Sequence, residues 1–186
     1  VIERRSQTAQ VVLVGNSTTP APLAACLDLI RDRLGADLHS LWFNSQTERT
    51  NTILGRDFEL WHGPASVIES FGGFDVHYPP GAFGQNNLDI AERIVEYVRE
   101  QVPEGADVAE FYAGVGAIGL SLLSCVSRLR MNEVSPASLQ GLELGLAGLP
   151  SSESAKVEVV PGMAGEACAT AAGAQIVIAD PPRKGL

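Results

Sequence analysis

Val108-Ala-Glu-Phe-Tyr-Ala-Gly-Val-Gly-Ala-Ile-Gly119 is the stretch of this 186-residue chain that decides its fold. Residues typical of a strand run into the pattern Gly114-x-Gly116-x-x-Gly119, and the apolar run at 120–124 predicts a helix after it. Glycine lets a ligand approach the backbone closely, and the start of a helix offers free N–H groups. The stretch therefore predicts a site for a nucleotide-like ligand and leaves open which one.

The residues around this stretch alternate between helix and strand patterns. Strands are predicted at 108–112, 128–132, 157–160 and 175–179, with helices after Asn87 or Asp89, through Leu123, after Ser135 and over 163–172. Repeated β-α-β units favour a parallel sheet with right-handed crossovers. Ligands of such sheets bind beyond the carboxyl ends of the strands, where the glycine turn, Glu133 and Asp180 are expected.

The first 78 residues follow another pattern, which predicts a small α+β domain. Strands are expected at 9–14 and 38–43, a helix at 23–34, a loop over 44–57, and a hairpin of 67–71 with 74–78 around a Gly-Gly turn. Pro79-Pro80-Gly81 is typical of a boundary. We therefore expect two domains, residues 1–78 and 79–186.

Composition narrows the classes of function. The net charge is −9, and neither predicted domain is basic. This argues against binding of a nucleic-acid phosphate backbone through overall charge. No apolar run is long enough to predict a membrane span. Cys26, Cys125 and Cys168 are far apart, without metal-ligand spacing. They predict small buried side chains, no metal site and a reducing, intracellular compartment, either cytoplasmic or organellar.

Glu133 suggests what the glycine turn binds. A carboxylate about this far beyond the turn suits the ribose hydroxyls of an adenosine-containing cofactor, either a dinucleotide or S-adenosylmethionine. The alternative is a glycine turn needed only for close packing of a strand and a helix. Asp180-Pro-Pro182 follows another apolar strand, so Asp180 is expected at the same edge of the sheet. A dinucleotide dehydrogenase has no particular need for an acid and two prolines there.

Four motifs in order resemble the RNA 5-methyluridine (uridine-C5) methyltransferases. They are Gly81-Ala-Phe83-Gly-Gln85-Asn86-Asn87, then Phe111-Tyr112-Ala-Gly114-Val-Gly116-Ala-Ile-Gly119, then Asn132-Glu133, then Asp180-Pro-Pro-Arg-Lys-Gly185. The resemblance covers residue 75 to the C-terminus, and residues 1–78 match the family's middle domain less specifically. It implies part of a Rossmann-like class I methyltransferase sheet preceded by a small α+β domain.

The resemblance also implies an S-adenosylmethionine cofactor, an RNA substrate (tRNA or rRNA) and a set of cofactor-binding residues. That set is Gln85, Tyr112, Gly114, Gly116, Glu133 and Asp180. The chain departs from the family at Ala113 and Ala117, where Cys and Asn or Thr are usual, and at Met163, where a polar residue often contacts adenine. These departures are expected to weaken the hold on the cofactor.

In the family that the chain resembles, a Cys adds to C6 of uracil and a later carboxylate removes the C5 proton. Both are expected beyond Leu186, so no catalytic residue is assigned in this chain. The start without Met suggests a piece of a longer protein. We therefore expect a fragment that does not complete methylation alone.

Three other functions remain open at this stage. A methyltransferase that acts on an amino group would use a similar Asp-Pro-Pro loop, but Arg183 stands where an aromatic residue is usual. A non-catalytic module could keep the cofactor fold and contact RNA or protein. An NAD-binding oxidoreductase is disfavoured by Gln85 and by the Asp180 loop.

Overall fold

A computed structural model describes residues 1–182 of the chain, which divides into two compact units. The first unit comprises residues 1–69 and 79–81, and the second comprises residues 70–78 and those from Ala82 onward. The hairpin residues 70–78 thus group with the second unit. The domain boundary predicted at Pro79 stays a prediction.

The first unit is a three-stranded sheet with one main helix. Strand β1 (Ala9–Gly15) pairs in parallel with β2 (Leu38–Ser45), and β2 pairs antiparallel with β3 (Asp57–His62). Helix α1 (Ala24–Leu34) joins β1 to β2. Its core consists of Leu27, Leu38, Leu41 and Phe43. The sequence predicted β1, α1 and β2 but missed β3, a short, mostly exposed strand in which Phe58 and Leu60 alternate with acidic residues.

The predicted hairpin is confirmed. Strands β4 (Val67–Phe71) and β5 (Phe74–Tyr78) form a two-stranded sheet. Gly72 and Gly73 connect them with φ of 58° and 88°. Glycine adopts such positive angles without steric cost, which explains why a Gly-Gly pair makes this tight turn.

The second unit contains a four-stranded parallel sheet in the order β8-β7-β6-β9. Its strands are β6 (Ala106–Phe111), β7 (Val126–Glu133), β8 (Val157–Pro161) and β9 (Ile176–Ala179). Helix α2 (Leu88–Gln101) precedes β6, and α3 (Pro136–Ala147) and the short α4 (Ser151–Ser154) lie between β7 and β8. Asn87 caps α2 and Ser135 caps α3, as their side chains predicted.

Two predicted helices of this unit are wrong. After the glycine turn there is only a 3₁₀ turn at Leu120–Leu122, because the turn itself occupies most of the residues between β6 and β7. The stretch 163–172 likewise forms only a 3₁₀ turn at Cys168–Ala171. Its small residues, mostly alanine, bury too little apolar surface to hold a longer helix.

Candidate cofactor site at the carboxyl edge of the sheet

The parallel sheet brings several predicted site residues to one edge. Phe111, the last residue of β6, pairs with Asn132 of β7 and with Ala179 of β9. The residues that directly follow these partners therefore lie at the same edge of the sheet. They are Tyr112 after β6, Glu133 after Asn132, and Asp180 after β9. Asp180 is exposed there.

The backbone of the glycine turn takes unusual angles. Tyr112 has φ of 59°, a conformation that a bulky side chain rarely adopts and that clusters at ligand sites. Gly114 has φ of 58°, and no atom lies within 4 Å of the position a Cβ would take there. The absent side chain of Gly114 thus leaves open space, as expected where a ligand approaches the backbone.

The other two glycines of the pattern serve packing. A Cβ on Gly116 would lie 2.8 Å from Cδ1 of Leu142. A Cβ on Gly119 would overlap the carboxylate of Glu110 and lie 2.7 Å from Cε of Met131. Gly116 and Gly119 are therefore needed because a side chain there would collide with its neighbours. At Gly114, by contrast, a side chain would meet no neighbour.

Glu133 is held by backbone donors at the end of β7. Its Oε2 accepts from the N–H of Gly114 at 2.7 Å, and its Oε1 accepts from the N–H groups of Val134 at 2.8 Å and Ser135 at 2.7 Å. The side chain is only 8% exposed. These three bonds fix the Glu133 side chain beside the glycine turn, and Oε2 keeps a lone pair for a further donor.

Glu110 is a site residue that the sequence analysis missed. It is 3% exposed, and its Oε2 has no hydrogen-bond partner among the described residues. Burial raises the pKa of Glu110 to about 8, with a further contribution from Asp180 and Glu133, while the backbone N–H of Gly119 acts in the opposite direction. A signal existed, because a parallel sheet is covered on both faces and a charged residue inside its strand is buried.

Asn132 fixes the chain beyond β8. Its Nδ2 donates to the carbonyl oxygens of Val160 and Gly162, both at 2.9 Å, and the residue is 1% exposed. Met163, directly after this turn, is 62% exposed. The loop that follows β8 is therefore tied to the strand that ends in Glu133.

Other predicted residues lie apart from this cluster or outside the described part. Gln85 is exposed in the segment before α2, and its place beside a cofactor stays a prediction. The Arg183-Lys184-Gly185 end of the Asp180 motif lies outside the described residues. Cys26 and Cys168 are exposed, so the prediction that they are buried is wrong; Cys26 lies on α1 and Cys168 in a 3₁₀ turn.

Residues 1–182 contain no group of three or more His, Cys, Asp or Glu side chains that could hold a metal ion. In the same range no helix combines the length and the apolar character that crossing a bilayer requires.

Comparison with known proteins identifies the class of this fold. The crystal structure of the tRNA (uracil-54, C5)-methyltransferase of Pyrococcus abyssi, in complex with S-adenosyl-L-homocysteine, matches with a TM-score of 0.70 and 22% identity. The match covers 100% of this chain and 43% of that one. The second unit is therefore part of a Rossmann-like class I methyltransferase fold.

Proteins related in sequence are RNA methyltransferases by name, and no family model matches the chain. An uncharacterized RNA methyltransferase of Protochlamydia amoebophila is 36% identical over 192 residues, which cover 100% of this chain and 50% of that protein. One of Leptospira interrogans is 25% identical over 204 residues, with the same coverage. The chain is similar to these RNA methyltransferases, and it spans about half of their length.

Proposed function

We propose that the chain is the cofactor-binding part of an S-adenosylmethionine-dependent methyltransferase that modifies C5 of uridine in tRNA or rRNA. One observation carries the proposal. The Glu133 carboxylate is oriented by the N–H of Gly114, beside a turn whose open space at Gly114 admits a ligand. An anchored acceptor next to a glycine turn is the arrangement that a ribose with two hydroxyl groups needs.

The residues at the carboxyl edge fit this cofactor in kind. Glu133 would accept hydrogen bonds from the ribose hydroxyls. The loop after β8, held by Asn132, would lie along the adenine, with Met163 offering an apolar contact. Tyr112 and Gln85 would contact the remainder of the cofactor. When bound, S-adenosylmethionine supplies a methyl group on a positively charged sulfur.

Asp180 would stand between the cofactor and the target base. It is exposed and follows β9 at the edge of the sheet, so it can reach a ligand that lies beyond the strands. Pro181 and Pro182 lack backbone donors and restrict the loop that carries Asp180. The side chain would thus orient the uracil ring toward the methyl group.

The three cysteines are poor candidates for the nucleophile that attacks uracil. Cys125 directly precedes β7 and therefore lies at the amino edge of the sheet, opposite the site. Cys168 lies in the turn before β9, and Cys26 is on α1 of the first unit. The resemblance places the nucleophilic Cys and the base beyond Leu186, and we keep that assignment as part of the proposal.

Release of the C5 hydrogen tests the reaction. The full-length protein is incubated with S-adenosylmethionine and with tRNA or rRNA that carries tritium at C5 of uridine. We expect tritium in the water, in step with methyl groups incorporated into the RNA. Methyl incorporation without tritium release would move the reaction to another atom and overturn the C5 assignment. A full-length variant in which Cys26, Cys125 and Cys168 are replaced by serine should release tritium as the parent protein does.

A further inference from the structure

The carboxyl edge of the sheet contains an acid that the proposed cofactor contacts do not use. Glu110 is buried near the end of β6. Its Oε2 lies against Gly119 and makes no fully formed hydrogen bond to residues 1–182, although the backbone N–H of Gly119 lies near enough to favour the charged form. A buried carboxyl oxygen with so weak a donor is costly, and native proteins rarely keep one without a reason. Its neighbours at the site are Glu133 and Asp180.

The surroundings of Glu110 are acidic on both sides. Among the described residues, the charged groups that act on it are Glu133, from β7, and Asp180, after β9. The glycine turn contributes only the backbone N–H of Gly119, and Met131 contributes an apolar methyl group. Such a cluster either keeps a proton on its most buried member or accepts a positively charged ligand.

The two forms of the proposed cofactor differ in this respect. S-adenosylmethionine carries a sulfonium cation, whereas the sulfur of S-adenosylhomocysteine is neutral once the methyl group has left. A sulfonium held between the ribose at Glu133 and the base at Asp180 would lie within the field of all three carboxyl groups. Its charge would favour the ionised form of Glu110, and its loss would favour the protonated form.

Resting on the function proposed above, we propose that Glu110 releases a proton when the cationic methyl donor binds and takes one back when the neutral product remains. The O–H bond of the Glu110 carboxyl group breaks on binding, and its proton passes to solvent. Glu110 thereby makes the site select S-adenosylmethionine over S-adenosylhomocysteine, with a preference that increases with pH. It acts through charge and touches no reacting atom, so it is a specificity-determining residue.

Calorimetry in buffers of different ionisation enthalpy counts the protons released. The chain is titrated with S-adenosylmethionine and with S-adenosylhomocysteine in phosphate and in imidazole at pH 6.5. A ligand ammonium group with the ordinary pKa of about 7.7–8.0 stays charged there, so protons released must come from the protein. We expect between about 0.5 and 1 proton per S-adenosylmethionine bound and close to none for S-adenosylhomocysteine.

The affinity ratio of the two ligands gives a second readout. Between pH 6 and pH 8 the preference for S-adenosylmethionine should increase by roughly tenfold or more, since one linked proton changes affinity by at most tenfold per pH unit. Glu110→Gln has no proton to release, so its ratio should change less than that of the parent chain. Glu143→Gln, on the exposed face of α3, is the matched control and should keep the parent behaviour.

The outcomes separate this inference from the proposed function. If S-adenosylmethionine binds the parent chain without proton release at pH 6.5, the role of Glu110 is refuted while the cofactor assignment stands. If S-adenosylmethionine does not bind at any pH, the proposed function itself fails. The proton count is made on the parent chain, so the result holds even if Glu110→Gln does not fold.

Discussion

Replacing Glu110 by glutamine should change how the stability of the protein depends on pH. Burial of this side chain raises its pKa from the usual 4.5 to about 8. A carboxyl group with a raised pKa binds its proton more tightly in the folded state than in the unfolded state. Its contribution to stability is therefore fully present below pH 4.5 and is lost as the pH rises through about 8.

The size of this effect follows from the shift. At about 1.4 kcal/mol per pKa unit, a rise from 4.5 to about 8 corresponds to on the order of 5 kcal/mol between acidic and alkaline solution. Roughly half of that falls between pH 6 and pH 8, where Glu110 keeps its proton when folded and loses it when unfolded. Glutamine has nearly the same volume and does not titrate, so the space beside Gly119 stays filled.

Urea unfolding at pH 6, 7, 8 and 9 measures the difference directly. The parent chain should lose about 2–3 kcal/mol of unfolding free energy between pH 6 and pH 8 relative to Glu110→Gln. Glu143→Gln, with its exposed side chain, should follow the parent chain. Parallel curves for the parent chain and Glu110→Gln would refute the assignment of a buried, proton-bearing carboxyl group to this position.

Three further predictions test the packing that positions the site. Arg130→Ala should lower the free energy of unfolding in urea by about 3–5 kcal/mol, because it removes the ion pair with Asp107 and two hydrogen bonds to backbone carbonyl groups. The control Arg128→Ala removes an exposed ion pair and should lower it by less than about 1 kcal/mol. Gly119→Ala should cost about 1–3 kcal/mol by overpacking, and Gly165→Ala, with open space, close to none. Asn132→Ala should lower the free energy of unfolding by about 1–3 kcal/mol and reduce the hydrogen-exchange protection of residues 160–163, because two carbonyl groups lose their donor. Unchanged protection would contradict the role of Asn132 in holding the loop after β8.

The parallel sheet could be predicted because its strands are apolar and separated by recognisable caps and turns. Ser135 and Asn87 sit at helix starts as their side chains predict, and β6 and β7 end where the glycine turn and Glu133 were expected. The position of Asp180 followed from the same logic, since carboxyl ends of parallel strands share one edge. The roles of these residues toward a cofactor stay predictions.

The missed features depend on three-dimensional packing. The apolar run at 120–124 resembles a helix, yet Leu120 and Leu122 are fully buried in a 3₁₀ turn that contacts α2 and β5. No α-helix therefore begins directly after the glycine turn. The buried state of Glu110 depends on the missing side chain of Gly119, nine residues later, and no local pattern reveals that pairing.

The affinity of the chain for S-adenosylmethionine, compared between two alanine variants, tests the central claim most directly. Gly114 (φ 58°) and Gly105 (φ 75°) both have open space at Cβ, so alanine strains the backbone similarly at either position. Gly114 lies at the proposed site, whereas Gly105 precedes β6 at the opposite edge of the sheet. By calorimetry, Gly114→Ala should weaken binding roughly tenfold or more, because crowding a packed contact costs about 1–3 kcal/mol, and Gly105→Ala should bind as the parent chain does. Equal affinities for the two variants, or binding of NAD in place of S-adenosylmethionine, would contradict the account.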